Sequence, residues 1–272
     1  MTSPLADRAI AILAAAAALG LTACSSSMAQ DTAHPGALAG PVLVELFTSQ
    51  GCSSCPPADK VLSDLGSDPK RTGEVIPLAF HVDYWDYIGW KDPFASATWS
   101  NRQRSYASAM HSTRIYTPQL VVNGTDHLVG SNRSGVDDAI AEARCKPALG
   151  TLAVTVEPVP EQPDKLRAVI AFAPAPDAPE GSWALMAALY ENGVDTRVGR
   201  GENGGRKLHN DHIVRALTRA CTVKDARKAQ TCQALFDVDA AWKPDHLGVA
   251  AFAAHPETLQ VRAAGVARPS AR

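Results

Sequence analysis

Cys52 and Cys55 lie in the stretch Phe47-Thr48-Ser49-Gln50-Gly51-Cys52-Ser53-Ser54-Cys55-Pro56-Pro57 and carry the most reactive side chains in the chain. Two thiols at this spacing can close a disulfide or share a metal, and both uses run through the thiolate. The apolar run 42–47 reads as a strand and residues 58–65 as a helix, so the pair falls at a strand-to-helix turn. Unpaired N–H groups and the macrodipole at a helix start favour an anion, and cysteines at such sites have pKa values of about 3.5 to 7.5 against about 8.5 for a free thiol. Cys52 is therefore the expected attacking nucleophile and Cys55, one turn on, the resolving thiol. A static structural disulfide and half of a metal site are the other uses of the motif. Zinc needs further ligands, and no second C-x-x-C occurs. His81 is a candidate copper or zinc ligand, or else a histidine that satisfies a core hydrogen bond.

The surrounding elements follow from pattern. A second apolar run, 75–82, comes one helix after the first, which is the rhythm of a parallel βαβ unit. An aromatic cluster at 84–90 follows, and Asp92-Pro93 opens a predicted helix through Met110. Thr117-Pro118 leads a strand that ends in a hairpin at Asn123-Gly124. A short strand at 127–129 and a helix from Ser134, its expected N-cap, to Cys145 complete the first half. After that, alternating runs at 152–156, 166–172, 183–190, 213–218, 248–253 and 259–266 predict a β-rich second part, an antiparallel sheet or small sandwich.

Several of these words carry a resemblance. The run from Glu45 to Pro57, His81-Val82-Asp83-Tyr84-Trp85-Asp86, Gly89-Trp90-Lys91-Asp92-Pro93-Phe94 and Tyr116-Thr117-Pro118-Gln119 resemble a family of secreted bacterial thioredoxin-like proteins known only as a domain of unknown function. The resemblance runs from Pro41 to the chain end. It implies an α/β fold class with a thioredoxin-like N-terminal domain, a thiol–disulfide oxidoreductase activity, and no dissociable cofactor. It also implies that Thr117-Pro118 is a cis pair facing the disulfide, where it positions an extended substrate; an ordinary turn proline is the other reading. Glu45 is carried over as the buried carboxylate that accepts the proton of the second thiol, with one extra residue before Cys52; a solvent-facing or merely hydrogen-bonded Glu is the alternative. Thioredoxins have Trp where this chain has Gly51, and Ser53-Ser54 and Pro56-Pro57 are also unlike them. Redox poise and direction are not transferred.

Composition sets the remaining bounds. The chain has 272 residues, a formal net charge of −2 and 46% hydrophobic residues, with Lys and Arg scattered, which excludes a phosphate-tracking surface and a nucleic-acid partner. Arg8 precedes an apolar run of about fifteen residues, 9–23, too short to span a bilayer of roughly 30 Å and suited to a signal peptide. Two cleavage sites compete. Leu21-Thr22-Ala23-Cys24 resembles a lipobox, which would place a lipid anchor on Cys24 and, with Ser25 beside it, the protein at the outer membrane. Ser27-Met28-Ala29 fits ordinary cleavage before Gln30. Both lead to the periplasm or beyond, where disulfides persist. The expected divisions are thus a signal at 1–23, a tether at 24–40, a thioredoxin-like domain at 41–147 and a β-rich domain at 148–272. The expected partners are a protein or small-molecule thiol or disulfide, together with a redox partner protein.

Of the six cysteines, Cys221 and Cys232 read as a structural staple. Cys145 is then a buried thiol at a helix end, or a resolving or intermolecular one. The glycine-rich loop 199–207 lacks P-loop spacing and is either a flexible connection or a lip over the active site. Arg102 and Arg104 read as solvated or salt-bridged. His209, Asp211 and His212 are a weak ligand set, because strand positions three apart face opposite sides.

Overall fold

A computed structural model describes residues 40–269. The apolar run 9–23, both cleavage sites, Cys24 and most of the expected tether lie outside the described residues. No described helix is long and apolar enough to cross a membrane.

The protein is mixed α/β, with one large mixed sheet and smaller antiparallel ones. Strand β1 (Val42–Thr48) feeds helix α1 (Pro56–Ser67), which returns to β2 (Val75–His81), and β1 and β2 pair in parallel. Both strands are buried on both faces, which is why they read as continuous apolar runs rather than alternating ones. Helix α2 (Ala97–Ala109) follows, then the hairpin β3 (Gln119–Val122) and β4 (Asp126–Val129), and helix α3 (Arg133–Arg144). The hairpin turn has φ of 46° at Asn123 and 68° at Gly124, the positive pair that Asn-Gly supplies at low cost. Two predicted boundaries move. Helix α2 starts at Ala97 with Ser96 as its N-cap, whose hydroxyl accepts from Thr98 N, while Asp92 is committed to the contacts described below. Helix α3 is capped by Asn132 rather than Ser134, with Asn132 Oδ1 accepting from Gly135 N at 3.2 Å.

Past residue 147, β5 (Gly150–Val159), β6 (Gln162–Pro174) and β11 (Gln230–Asp237) form a three-stranded antiparallel sheet, and β8 (Val194–Arg197) and β9 (Lys207–Asn210) form a short hairpin. Strands β7 (Trp183–Glu191), β10 (Ile213–Val223), β12 (Leu247–Ala254) and β13 (Val261–Ala267) instead join the first half's strands. The resulting eight-stranded sheet has the order β13-β12-β7-β10-β2-β1-β3-β4, so strands from both sides of residue 147 share it. The alternation in β11 was masked by its polar positions, and β8 and β9 are too short to signal themselves.

Pleating decides what each face meets. Val42, Val44 and Leu46 pack on α1 and α3, while Leu43 and Phe47 pack with Phe80, Trp99 and Tyr106 on the α2 side. The three-stranded sheet covers the later strands, with Ile170 and Phe172 against Leu185, Leu189 and Val249. A Cys221–Cys232 disulfide ties β10 to β11, and so the large sheet to the smaller one. Closing this eleven-residue loop restricts the unfolded chain by about 3 kcal/mol in the chain-entropy account. Cys145 differs from the expected buried thiol: it is exposed at the C-cap of α3 and is not a free thiol.

Candidate functional site

Cys52 and Cys55 are joined as a disulfide with their Cα atoms 5.4 Å apart. Cys55 is the N-cap of α1 and already has helical dihedrals, and Pro56-Pro57 fill the first turn, where no backbone N–H is required. Cys52 N donates to Ser49 O and Cys55 N to Cys52 O, which winds the loop tightly ahead of the helix. Ser54 Oγ lies 3.3 Å from Cys52 Sγ, placed to donate to a thiolate there. The disulfide itself is enclosed: Cys52 is 1% exposed and Cys55 0%.

Aromatic residues wall one side. The 3₁₀ turn Asp83–Ile88 packs on Gly51, where a Cβ would lie 3.2 Å from the Cβ of Trp85 and 3.3 Å from its carbonyl oxygen. Any side chain at this position would have to push the Asp83–Ile88 turn back by a few tenths of an ångström. Trp85 Nε1 donates to Thr117 Oγ1 at 2.7 Å, and Trp90 Nε1 to Gln50 Oε1 at 3.3 Å. Thr117-Pro118 is a cis peptide. Antiparallel pairing of Phe47 with Gln119 sets it beside the end of β1, from which the cysteine loop springs. Trp85 thus touches both Gly51 and Thr117.

One turn along α1 from Cys55 begins a buried polar cluster that sequence reasoning missed in part. Asp59 sits four residues after Cys55 and donates its backbone N–H to Cys55 O at 3.0 Å, so the two side chains share one face of α1. Thr48 Oγ1 donates to Asp59 Oδ1 at 2.7 Å. His81 pairs in register with Thr48 and faces α1 as well. Its Nδ1 meets Asp92 Oδ2 at 2.7 Å, and Asp92 also accepts from Gln50 N and Phe94 N. Burial pushes Asp59 up to about 6, with the His81 charge pulling the other way. Burial works against the His81 imidazolium too, yet the Asp92 carboxylate outweighs it and raises the His81 pKa; Asp92 in turn is lowered, His81 overcoming its own desolvation. His81 Nε2 is buried with no hydrogen-bond partner. The spacing of Asp59 from Cys55 was the signal available in the sequence.

Glu45 is not part of this cluster. Its odd position on β1 turns it to the α2 face, where Arg102 Nε donates to it at 2.8 Å and Tyr106 Oη also donates. Arg102 is stacked near the rings of Phe80, Tyr106 and Phe252. Arg104 bonds only to Asn101 among the described residues. Replacing Arg102 by Ala leaves a buried carboxylate unpaired, and a loss of about 3–5 kcal/mol is expected in denaturant unfolding. The reactivity of Cys52 in that variant should stay within about twofold of wild type; a larger change would return Glu45 to the cysteine chemistry.

The second half also reaches the site. From the β8–β9 hairpin, Asn203 Nδ2 donates to Gln50 O and to Cys52 O, both at 2.9 Å, and Glu202 Oε2 accepts from Ser53 N at 2.9 Å. Asn210 Oδ1 accepts from Gln50 Nε2 at 3.0 Å. The glycine-rich loop lies against the cysteine loop and is bonded to it through Asn203 and Glu202. His209 and His212 do not converge: the first is exposed against Asp195, and the second is buried beside Tyr190, with burial lowering its pKa to about 4. Among the described residues no three His, Cys, Asp or Glu side chains group as a metal site.

Fold and site define a mixed α/β protein with a C-x-x-C disulfide at a strand-to-helix turn, enclosed by its own second half. Residues 43–254 match the family described as Protein of unknown function (DUF1223), and the chain belongs to that family. Its structure is similar to the crystal structure of a protein from Agrobacterium tumefaciens, at 26% identity and a TM-score of 0.64, covering 84% of this chain and 94% of that one. HBP35 of Porphyromonas gingivalis shares the fold at 17% identity and a TM-score of 0.63, over 87% of this chain and 79% of its own. No curated protein matches the chain.

Proposed function

We propose that the chain is a thiol–disulfide oxidoreductase whose N-terminal half is thioredoxin-like, acting on a protein or small-molecule thiol or disulfide in the cell envelope. The observation that carries this is the Cys52–Cys55 disulfide at the N-cap of α1 with a buried carboxylate, Asp59, one turn on along the same helix face. The order β1-α1-β2-α2-β3-β4-α3, with β1 and β2 parallel and β3 antiparallel to β1, supports the thioredoxin-like reading. The apolar leader and the Cys221–Cys232 disulfide support an oxidising compartment.

In the oxidised direction a substrate thiolate attacks Cys52 Sγ, the Cys52–Cys55 bond breaks, and Cys55 leaves as a thiolate. Asp59, when protonated, supplies the proton that converts it to a thiol. A second substrate thiol then releases the mixed disulfide, leaving the substrate oxidised and the cysteine pair reduced. Run backwards, ionised Asp59 removes the proton from Cys55 as it attacks. Asp59 thus takes the part the family resemblance would give to Glu45. A redox partner protein resets the pair in either direction, and lipidation at Cys24 would hold the protein at the membrane.

Burial of the disulfide favours one rival, a non-catalytic envelope binding protein with a static crosslink. Equilibration in glutathione buffers followed by thiol trapping separates the two. A potential between about −120 and −270 mV is expected for the redox role, and one below about −300 mV would leave the crosslink structural.

A further inference from the structure

We propose that residues 199–206 form a displaceable lid latched by Asn203, and that what displaces it is an extended peptide segment of the substrate; this rests on the oxidoreductase reading above.

The latch is specific. Asn203 is 0% exposed although it sits in a polar loop, and all of its amide is used: Nδ2 donates to the carbonyls of Gln50 and Cys52, and Oδ1 accepts from Arg206 at 2.7 Å. Glu202 accepts the Ser53 N–H. The lid therefore satisfies three backbone groups of the cysteine loop with side chains from about 150 residues away. Its own backbone closes on itself, with Gly204 N donating to Gly201 O and Gly205 N to Val198 O. Gly201 and Gly205 hold φ of 75° and 81°, which favour glycine, and Gly201 lies in contact range of Ile88 and Trp90. Glycine lets the loop lie flat against the aromatic wall. The stem is a two-stranded hairpin outside both larger sheets, the kind of element that opens at low cost.

With the lid closed, a reductant has almost no access to Cys52. With it open, Gln50 O and Ser53 N–H lose their lid partners and Cys52 O keeps only the bond from Cys55 N, so two acceptors and one donor are offered along residues 50–53. That pattern matches the alternating donors and acceptors of an extended peptide, which can replace the lid's bonds as it enters. A small thiol has no amides with which to do so and must wait for spontaneous opening.

The test follows disulfide reduction by stopped-flow tryptophan fluorescence. Two reductants are compared at equal dithiol concentration: dithiothreitol, which is oxidised to its cyclic disulfide as the pair gains two electrons and two protons, and a ten-residue peptide with two cysteines. In wild type the peptide is expected to react about 10-fold faster or more; Asn203→Ala should raise the dithiothreitol rate about 10- to 100-fold and narrow that gap. Glu202→Ala, an exposed change that removes only the Ser53 bond, should move the same rate severalfold and covers the case in which Asn203→Ala does not fold. Unchanged dithiothreitol rates in both variants, or a peptide no faster than dithiothreitol in wild type, would overturn the proposal. The glutathione potential reports the oxidoreductase reading separately, since the rate ratios are obtained with a strong reductant whatever that potential is.

Discussion

Cys55→Ser protein is expected to accumulate a mixed disulfide on Cys52, seen as a thiol-sensitive mass increase, while Cys52→Ser forms none. Exchange activity in Cys52→Ser should fall by at least about 10³-fold, to the background of thiols in buffer, because the nucleophile itself is gone. The two cysteines differ in surroundings. Both sulfurs are buried, but Cys52 lies in the loop beneath the Asn203 contact with Ser54 beside it, whereas Cys55 caps the start of α1. An incoming thiol therefore meets Cys52, and only Cys55 can break the resulting bond from inside. Trapping on Cys55 in Cys52→Ser would reverse the assignment, and no trapping in either variant would identify a static crosslink.

Asp59→Asn should alter both rate and stability, each with its own pH signature. The folded protein holds the Asp59 proton up to about 6, against 3.8 in a free chain. Folding is therefore favoured by this group most below about pH 4, and that contribution is lost as pH rises through about 6. Two pKa units correspond to about 3 kcal/mol, spread over that window. The stability difference between wild type and Asp59→Asn should decline across pH 4 to 6 and level above it, which thermal or denaturant unfolding at a series of pH values reads directly. The charges facing Asp59 are His81 and Asp92, with Thr48 and Asn210 as hydrogen-bond partners, and all four are retained in the variant. Exchange by the variant should slow by about 10²-fold, the ordinary contribution of a positioned acid or base, and should lose its inflection near pH 6. A stability change with an unaltered rate profile would make Asp59 structural only.

Much of the first half was legible because it is locally encoded. The apolar runs, the prolines after Cys55 and the Asn-Gly hairpin each specify their own conformation within a few residues. What was not legible is set by distance and by parity. Glu45 matched the family's carboxylate by approximate spacing, but the pleat of β1 carries it to the α2 face, and spacing that is off by one reverses the face. Asp59 read as an unremarked polar residue in a helix start; only its i, i+4 relation to Cys55 marked it. Asn203 reaches the cysteine loop across 151 residues, and no local pattern announces such a contact. In the second half, β7 is almost continuously apolar and buried along its length, as a central strand of the large sheet must be, whereas β6 alternates; reading both runs as alternating hid which of them enters that sheet.

Within the large sheet, the strands of the two halves join at one edge. Strand β10 meets β2 through a single registered pair, Ile213 with Ala79, and Ala79 N donates to His212 O at 2.8 Å. Alternation then points the Pro77 nitrogen toward β10 as well, where it has no hydrogen to offer, and this keeps the pairing short. As the chain is made, β2 must wait for β10, more than a hundred residues later. Through that interval the open edge is already blunted by Pro77, which discourages a strand from another nascent molecule from adding there. The residue that limits the final seam also guards the unfinished protein.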